Sequence, residues 1–334
     1  MRTILYMILA LSLLLSCERK GADVLENWPW EDRTAAIDDW SDVSSEYGSL
    51  PAYIKVFRSP DKLQGKPAVA YIAVADMKSA AWDIWSVKSD ETYATSDSYR
   101  TPSQVYSESK SVVVINGGFF YHSDGTNYTS SLAVRDSEVL AYNINYASED
   151  WVSIYYPTRA AFCESQDGRF DACWTYMRND GHYMYPAPAL NSWDAKPLEQ
   201  PSETFPEGAE PFAAKTAIGG GPVLINDGKF ADTYVAELFY GTSGIAPDVD
   251  QPRTAVGVTA DNKMIFFVCE GREMTEGVRG LTTEDVANVL LDLDCVEAVN
   301  LDGGGSSCML INGKETIKVS DGSQRSVAST LMLK

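Results

Sequence analysis

Apolar residues in this chain fall in short runs separated by turns rich in glycine, asparagine and aspartate, a pattern of strands more than of long helices. Ala68–Val74 predicts a strand, and Trp82, Ile84, Trp85 and Val87 fit either an edge strand or a turn-rich segment. Val112–Ile115 is an unbroken β-branched run that stops at Asn116-Gly117-Gly118, as a strand buried on both faces does. Thr216–Ile218 and Val223–Ile225 flank a Gly219-Gly220-Gly221-Pro222 turn, and Asn226-Asp227-Gly228 is a hairpin signal. Arg253–Thr259 and Met264–Cys269, joined by a tight Asp261-Asn262 turn, read as an antiparallel pair. Val296–Leu301 predicts a further strand, Asp302–Gly305 a glycine turn and Cys308–Ile311 the return strand, with a hairpin at Asn312-Gly313.

Two helices carry start signals. Thr101-Pro102-Ser103-Gln104 combines a hydroxyl cap, proline at the first helical position and a capping-box glutamine. Thr282 with Asp285 resembles a capping box, and Val286, Val289, Leu290 and Leu293 line one helical face. Strands outnumber helices, with no βαβ alternation and no internal repeat. The expected class is therefore α+β: a strand-rich, mixed or antiparallel sheet with a few packing helices in a single main domain, residues 51–334. From about 142 to 212 the composition shifts to tryptophan, tyrosine and proline, which marks an insertion able to wall a cleft. Residues 18–50 are acidic, carry Trp28, Trp30 and Trp40, and read as a tether followed by a docking segment.

Residues 1–17 read as an export signal, with Arg2, an apolar run from Ile4 to Leu15 and then Ser16. That run is too short for a spanning helix, which needs roughly 20 residues. Leu14-Leu15-Ser16-Cys17 resembles a bacterial lipobox, so the expectation is a lipoprotein of the cell envelope, acylated at Cys17 and held to the membrane by that anchor alone. Among the other cysteines, Cys163 and Cys173 enclose a short polar loop that a disulfide can close. Cys269, Cys295 and Cys308 read as small buried residues.

The 334 residues carry 27 Lys+Arg against 47 Asp+Glu, a net charge of −20, which argues against nucleic acid as a partner. With only two histidines, His122 and His182, a multi-histidine metal site or relay is a poor expectation; no metal and no cofactor are expected. Asp248 and Asp250 read as a solvated acidic loop.

Strand ends repeatedly deliver glycines beside charged residues: Asn116 before two glycines, Glu270-Gly271-Arg272, and Asp302 before three glycines and two serines. Glycines admit close backbone approach and positive φ, and they expose N–H groups able to hold an anion. The lysine and hydroxyl that end a nucleotide-binding phosphate loop are missing. Six blocks in order, Val113–Phe120, Gly220-Gly221-Pro222, Arg253–Gly257, Glu270-Gly271-Arg272, Gly280-Leu281-Thr282 and Asn300–Ser307, resemble the motifs of the phosphodiester glycosidase family. The likeness runs from about Val112 to Lys334. Cys308 and Arg325–Ser329 depart from the family pattern.

The resemblance implies cleavage of a sugar-1-phosphodiester at the anomeric carbon, the substrate being a glycan or envelope-polymer phosphodiester. A phosphate leaving group needs little protonation, so charge neutralisation matters more than a general acid. Arg253 and Arg272 are the expected phosphate clamps, aided by Gly303, Gly304, Gly305, Ser306 and Ser307. Asp302 and Glu270 are expected to share the carboxylate work, and Asn116 with Gly117 to bind substrate. Two other readings stay open: an ordinary glycoside hydrolase, and a non-catalytic glycan-binding lipoprotein in which Trp151, Trp174 and Trp193 stack on sugar rings.

Overall fold

The computed structural model describes residues 39–334; the expected export signal, Cys17 and most of the expected tether lie outside the described residues. Three antiparallel sheets carry the architecture. The largest has eight strands in the order Ser41–Asp42, Ile54–Arg58, Ala70–Asp76, Lys263–Cys269, Arg253–Thr259, Cys295–Asn300, Val223–Asn226 and Lys229–Phe230. Its central strands are buried along their whole length, which is why they read as continuous apolar runs. A five-stranded sheet places Val113–Asn116 between Met309–Ile311 and Ser329–Leu333, with Trp82–Ser86 as one edge strand.

The seven-stranded sheet was not legible as such. The segment expected to be an insertion supplies Arg159–Ser165, Phe170–Arg178, Gly181–Tyr185 and Glu210–Pro211, and Arg159–Ser165 pairs with Ala214–Gly219 beyond it. Ala160, Ala161, Phe162 and Cys163 are all buried, so the strand has no alternation to betray it. The fold is accordingly mostly β, and the α+β expectation overstates its helices. Two α-helices occur among the described residues, Pro102–Ser109 and Thr283–Asp292, and both start on the capping boxes read from sequence.

One apolar core joins the three sheets, with Val56, Val256 and Phe266 from the first, Ile84, Ile115 and Leu331 from the second, and Phe162, Trp174 and Ile218 from the third. Buried acids tie the layers together. The Trp82 indole donates to Glu164 at 2.7 Å across the five- and seven-stranded sheets. Glu237, fully buried, accepts from the N–H groups of Ala160 and Val223, both at 2.9 Å, from the Thr233 hydroxyl at 2.8 Å and from the Trp174 indole at 3.1 Å. It thereby links the seven- and eight-stranded sheets. The thiols of Cys163 and Cys173 lie 3.6 Å apart, hydrogen-bonded and not joined by the expected disulfide; they and Cys269, Cys295 and Cys308 are all buried.

Glu237 is an acceptor surrounded by donors, so a side-chain amide there turns an N–H₂ towards N–H groups. Glu237→Gln is expected to cost about 2–4 kcal/mol of unfolding free energy in a urea titration, with the packing volume unchanged. An unaltered midpoint would show that the link carries no stability.

Candidate active site

Asp302 sits where the eight-stranded and five-stranded sheets meet. The strand Cys295–Asn300 pairs with Arg253–Thr259, and its continuation zips along that neighbour: Leu301 N–H donates to the Thr254 carbonyl at 2.8 Å and Gly304 N–H to the Pro252 carbonyl at 2.8 Å. From the five-stranded sheet, the Asn116 amide donates to the Asp302 carbonyl at 2.6 Å, while Asp302 N–H donates to the Gly117 carbonyl at 3.0 Å. Both backbone polar groups of Asp302 are thus taken by one strand end. The turn that follows needs its glycines. A Cβ on Gly303 would stand 2.7 Å from the Pro252 oxygen, and Gly304 has φ +58° with the Arg272 Nη2 atom 2.7 Å from where its Cβ would be.

A cleft of about 190 Å³ opens over this turn, lined among others by Asp302, Gly303–Gly305, Arg272, Arg325, Gln251 and Asn300. Asp302 is the single carboxylate of that lining. Burial pushes its pKa up to about 6, opposed by the Ser306 hydroxyl, the positive charge of Arg325 and the Gly303 N–H. Arg272 donates from Nε to the Gln251 amide oxygen at 2.9 Å and from Nη1 to the Ser320 hydroxyl at 3.4 Å. Arg325 donates to Asp321 at 2.9 and 2.6 Å and to the Ser306 hydroxyl at 3.3 Å. Their side chains are 46% and 40% exposed, open enough to meet an anion.

Several expected site residues take other roles. Arg253 lines the cleft but is buried, and its guanidinium donates to the carbonyls of Leu281, Ile245, Ala246 and Val249 at 2.6–3.0 Å. Four of its five N–H donors are thus committed to backbone carbonyls, chiefly of the 245–249 loop, rather than standing free for the expected phosphate clamp. Glu270 is buried outside the lining; its Oε1 accepts Lys318 N–H at 2.9 Å, which braces the segment carrying Ser320 and Asp321. It is not the second carboxylate of the cleft. Asn116 is fully buried, and its Oδ1 accepts from the Thr254 hydroxyl at 2.8 Å and from Cys308 N–H at 3.1 Å. Asn116 and Gly117 therefore position Asp302, and neither is part of the cleft lining. Ser307, also buried, donates to the Thr254 hydroxyl at 3.2 Å, and Ser306 acts through Asp302 and Arg325.

Arg325 and Asn300 carry no expected site role, yet both line the cleft. Asn300 donates to the carbonyls of Gly221 and Leu301 at 2.8 and 2.9 Å, which fixes its amide and leaves Oδ1 buried without a donor. Its place two residues before Asp302 was the available signal. His122 lies on an exposed hairpin bonded to Asn127, Trp174 is core, and Asp250 pairs with Lys66 at 2.8 Å. Among the described residues no group of three or more His, Cys, Asp or Glu side chains gathers to hold a metal.

The family model described as phosphodiester glycosidase matches residues 109–334. The chain belongs to that family. The mouse N-acetylglucosamine-1-phosphodiester alpha-N-acetylglucosaminidase is 42% identical over 66 residues, 20% of this chain and 12% of the mouse protein. The human enzyme of that name is 38% identical over 96 residues, 29% of this chain and 18% of its own length. The matched segments thus span under a fifth of these curated relatives. In fold, the chain resembles the catalytic domain of the zebrafish enzyme, auto-inhibited by its pro-peptide, with a TM-score of 0.54 at 19% identity, covering 88% of this chain and 86% of that one. A hypothetical protein from Synechocystis gives a TM-score of 0.54 at 14% identity, covering 86% and 64%.

Because the folded state raises the Asp302 pKa above its ordinary value of 3.8, the native protein holds a proton there that the unfolded chain has released. Asp302 therefore subtracts stability as pH rises through about 6 and ceases to do so below roughly 4. Relative to Asp302→Asn, the wild type is expected to lose thermal stability between roughly pH 4 and pH 7. A constant difference across that range would show an unshifted carboxyl.

Proposed function

We propose that this protein is a hydrolase that cleaves the glycosidic bond of a sugar-1-phosphodiester in glycans or envelope polymers, displayed at the cell envelope through a lipid on Cys17. What carries the reading is the one carboxylate of the cleft lining beside two half-exposed arginines, both of which pair with Asp321 at the cleft's margin. An ordinary glycosidase protonates an alkoxide leaving group and so uses a carboxyl pair about 5–9.5 Å apart. From a sugar-1-phosphodiester the leaving group is a phosphomonoester, an anion already stabilised, and one carboxylate with fixed cations suffices. Arg272 and Arg325 take the phosphate oxygens. Asp302, ionised above about pH 6, draws a proton from the water that attacks the anomeric carbon. The buried Asn300 Oδ1 is an acceptor for that water or for a sugar hydroxyl.

The names of the vertebrate relatives make an α-linked N-acetylglucosamine 1-phosphodiester the first substrate to assay, against a matched aryl glycoside. The expected products are free sugar and a phosphomonoester from the diester alone. Asp302→Asn is expected to lower kcat/KM by about 10²–10⁴-fold, and wild-type kcat/KM to fall roughly tenfold per pH unit below about 6. Hydrolysis of the aryl glycoside alone would overturn the proposal in favour of an ordinary glycosidase. Binding without turnover of any diester would favour glycan capture.

A further inference from the structure

A second cavity, of about 270 Å³, adjoins the cleft and shares Phe119 and Ile245 with it. Tyr146 and Trp193 contribute aromatic walls, and Phe119 packs on Phe239 with ring centroids 5.5 Å apart. Arg159, the first residue of its strand, lines the cavity with its guanidinium stacked 4.2 Å from the Phe239 ring centre. Among the described residues its guanidinium has no hydrogen-bond or ion-pair partner, and Nη1 is shut off from solvent without an acceptor. The nearby Glu237 offers it no hydrogen bond, its oxygens being taken by Ala160, Val223, Thr233 and Trp174, and relieves its charge only through space. Trp193 brings a second buried donor without an acceptor, its Nε1. Glu149 and Trp193 both lie beside Gly241, but Glu149 does not line the cavity.

The charge of Glu237 offsets the desolvation of this cation only in part, so a further anion beside it would be favoured. Burial already pulls the Arg159 pKa down to about 10. Two orphaned donors, aromatic faces and no lining carboxylate call for a ring that offers acceptors and negative charge. We propose that this cavity is a subsite for an anionic sugar, a residue next to the scissile phosphodiester that carries a carboxylate or a second phosphate, with Arg159 as its specificity-determining contact. The proposal rests on the phosphodiester glycosidase reading of the adjoining cleft and narrows its substrate class.

The test measures binding to the full chain, by tryptophan fluorescence, of a hexose 1-phosphate, the matching hexuronic acid 1-phosphate and the hexose 1,6-bisphosphate. The wild type is expected to bind at least one doubly anionic ligand about tenfold more tightly than the neutral-ring one. Arg159→Gln is expected to abolish that preference while leaving the hexose 1-phosphate affinity unchanged, and Arg159→Lys, which keeps charge without the planar fork, to retain part of it. Preference for the uronate or for the bisphosphate identifies the source of the charge. Equal binding of all three by the wild type, or an equal loss for all three in both variants, would overturn the subsite. Diester turnover with no charge preference would sink the subsite and leave the catalytic reading intact; a charge preference without turnover of any diester would do the reverse.

Discussion

The Asn116 side chain is the constraint on which the site depends. From the end of one strand it donates to the Asp302 carbonyl and accepts from Thr254 and Cys308, while the next residue, Gly117, takes the Asp302 N–H. Three separate chain segments are thereby held at one buried amide. A carboxylate used in catalysis must be held to within a fraction of an ångström, and a glycine-rich turn alone cannot do that. The flexibility that lets Gly304 pass beneath Arg272 is offset by rigid hydrogen bonding immediately before it.

Charge follows the same economy. A chain of net charge −20 must concentrate its cations to handle an anion. Arg272 and Arg325 do so at the cleft, each steadied by neighbouring polar groups, and Arg253 spends its charge on backbone carbonyls that shape the adjoining loop. Desolvation keeps Asp302 near neutrality and so suited to taking and releasing a proton.

Much of this frame is legible in the residues. Unbroken runs such as Arg253–Thr259 mark strands buried on both faces, and the two capping boxes set the helix starts. The edge strand at Trp82–Ser86 was ambiguous because its outer face is half exposed. The strands of residues 159–185 were hidden because Trp, Tyr, Cys and Ala at their buried positions carry neither alternation nor β-branched runs. At the site, Asp302 and Arg272 stand where glycine-rich strand ends suggest. Arg253, Glu270 and Asn116 sit at equally suggestive strand ends, but their side chains turn inward to backbone and hydroxyl partners, with Glu270 Oε2 buried and unpartnered, a direction that residue type does not encode. Arg325 lies in a polar loop, and only the tertiary pairing with Asp321 and Ser306 brings it to the cleft.

The central claim is that the carbon–oxygen bond at the anomeric centre breaks and phosphate departs as the leaving group. Hydrolysis of a sugar-1-phosphodiester in ¹⁸O-labelled water, read by mass spectrometry of both products, tests it directly. The label is predicted on the sugar hydroxyl with none on the phosphomonoester. Label on phosphorus would mean that water attacks the phosphate and that Arg272, Arg325 and Asp302 serve a phosphodiesterase.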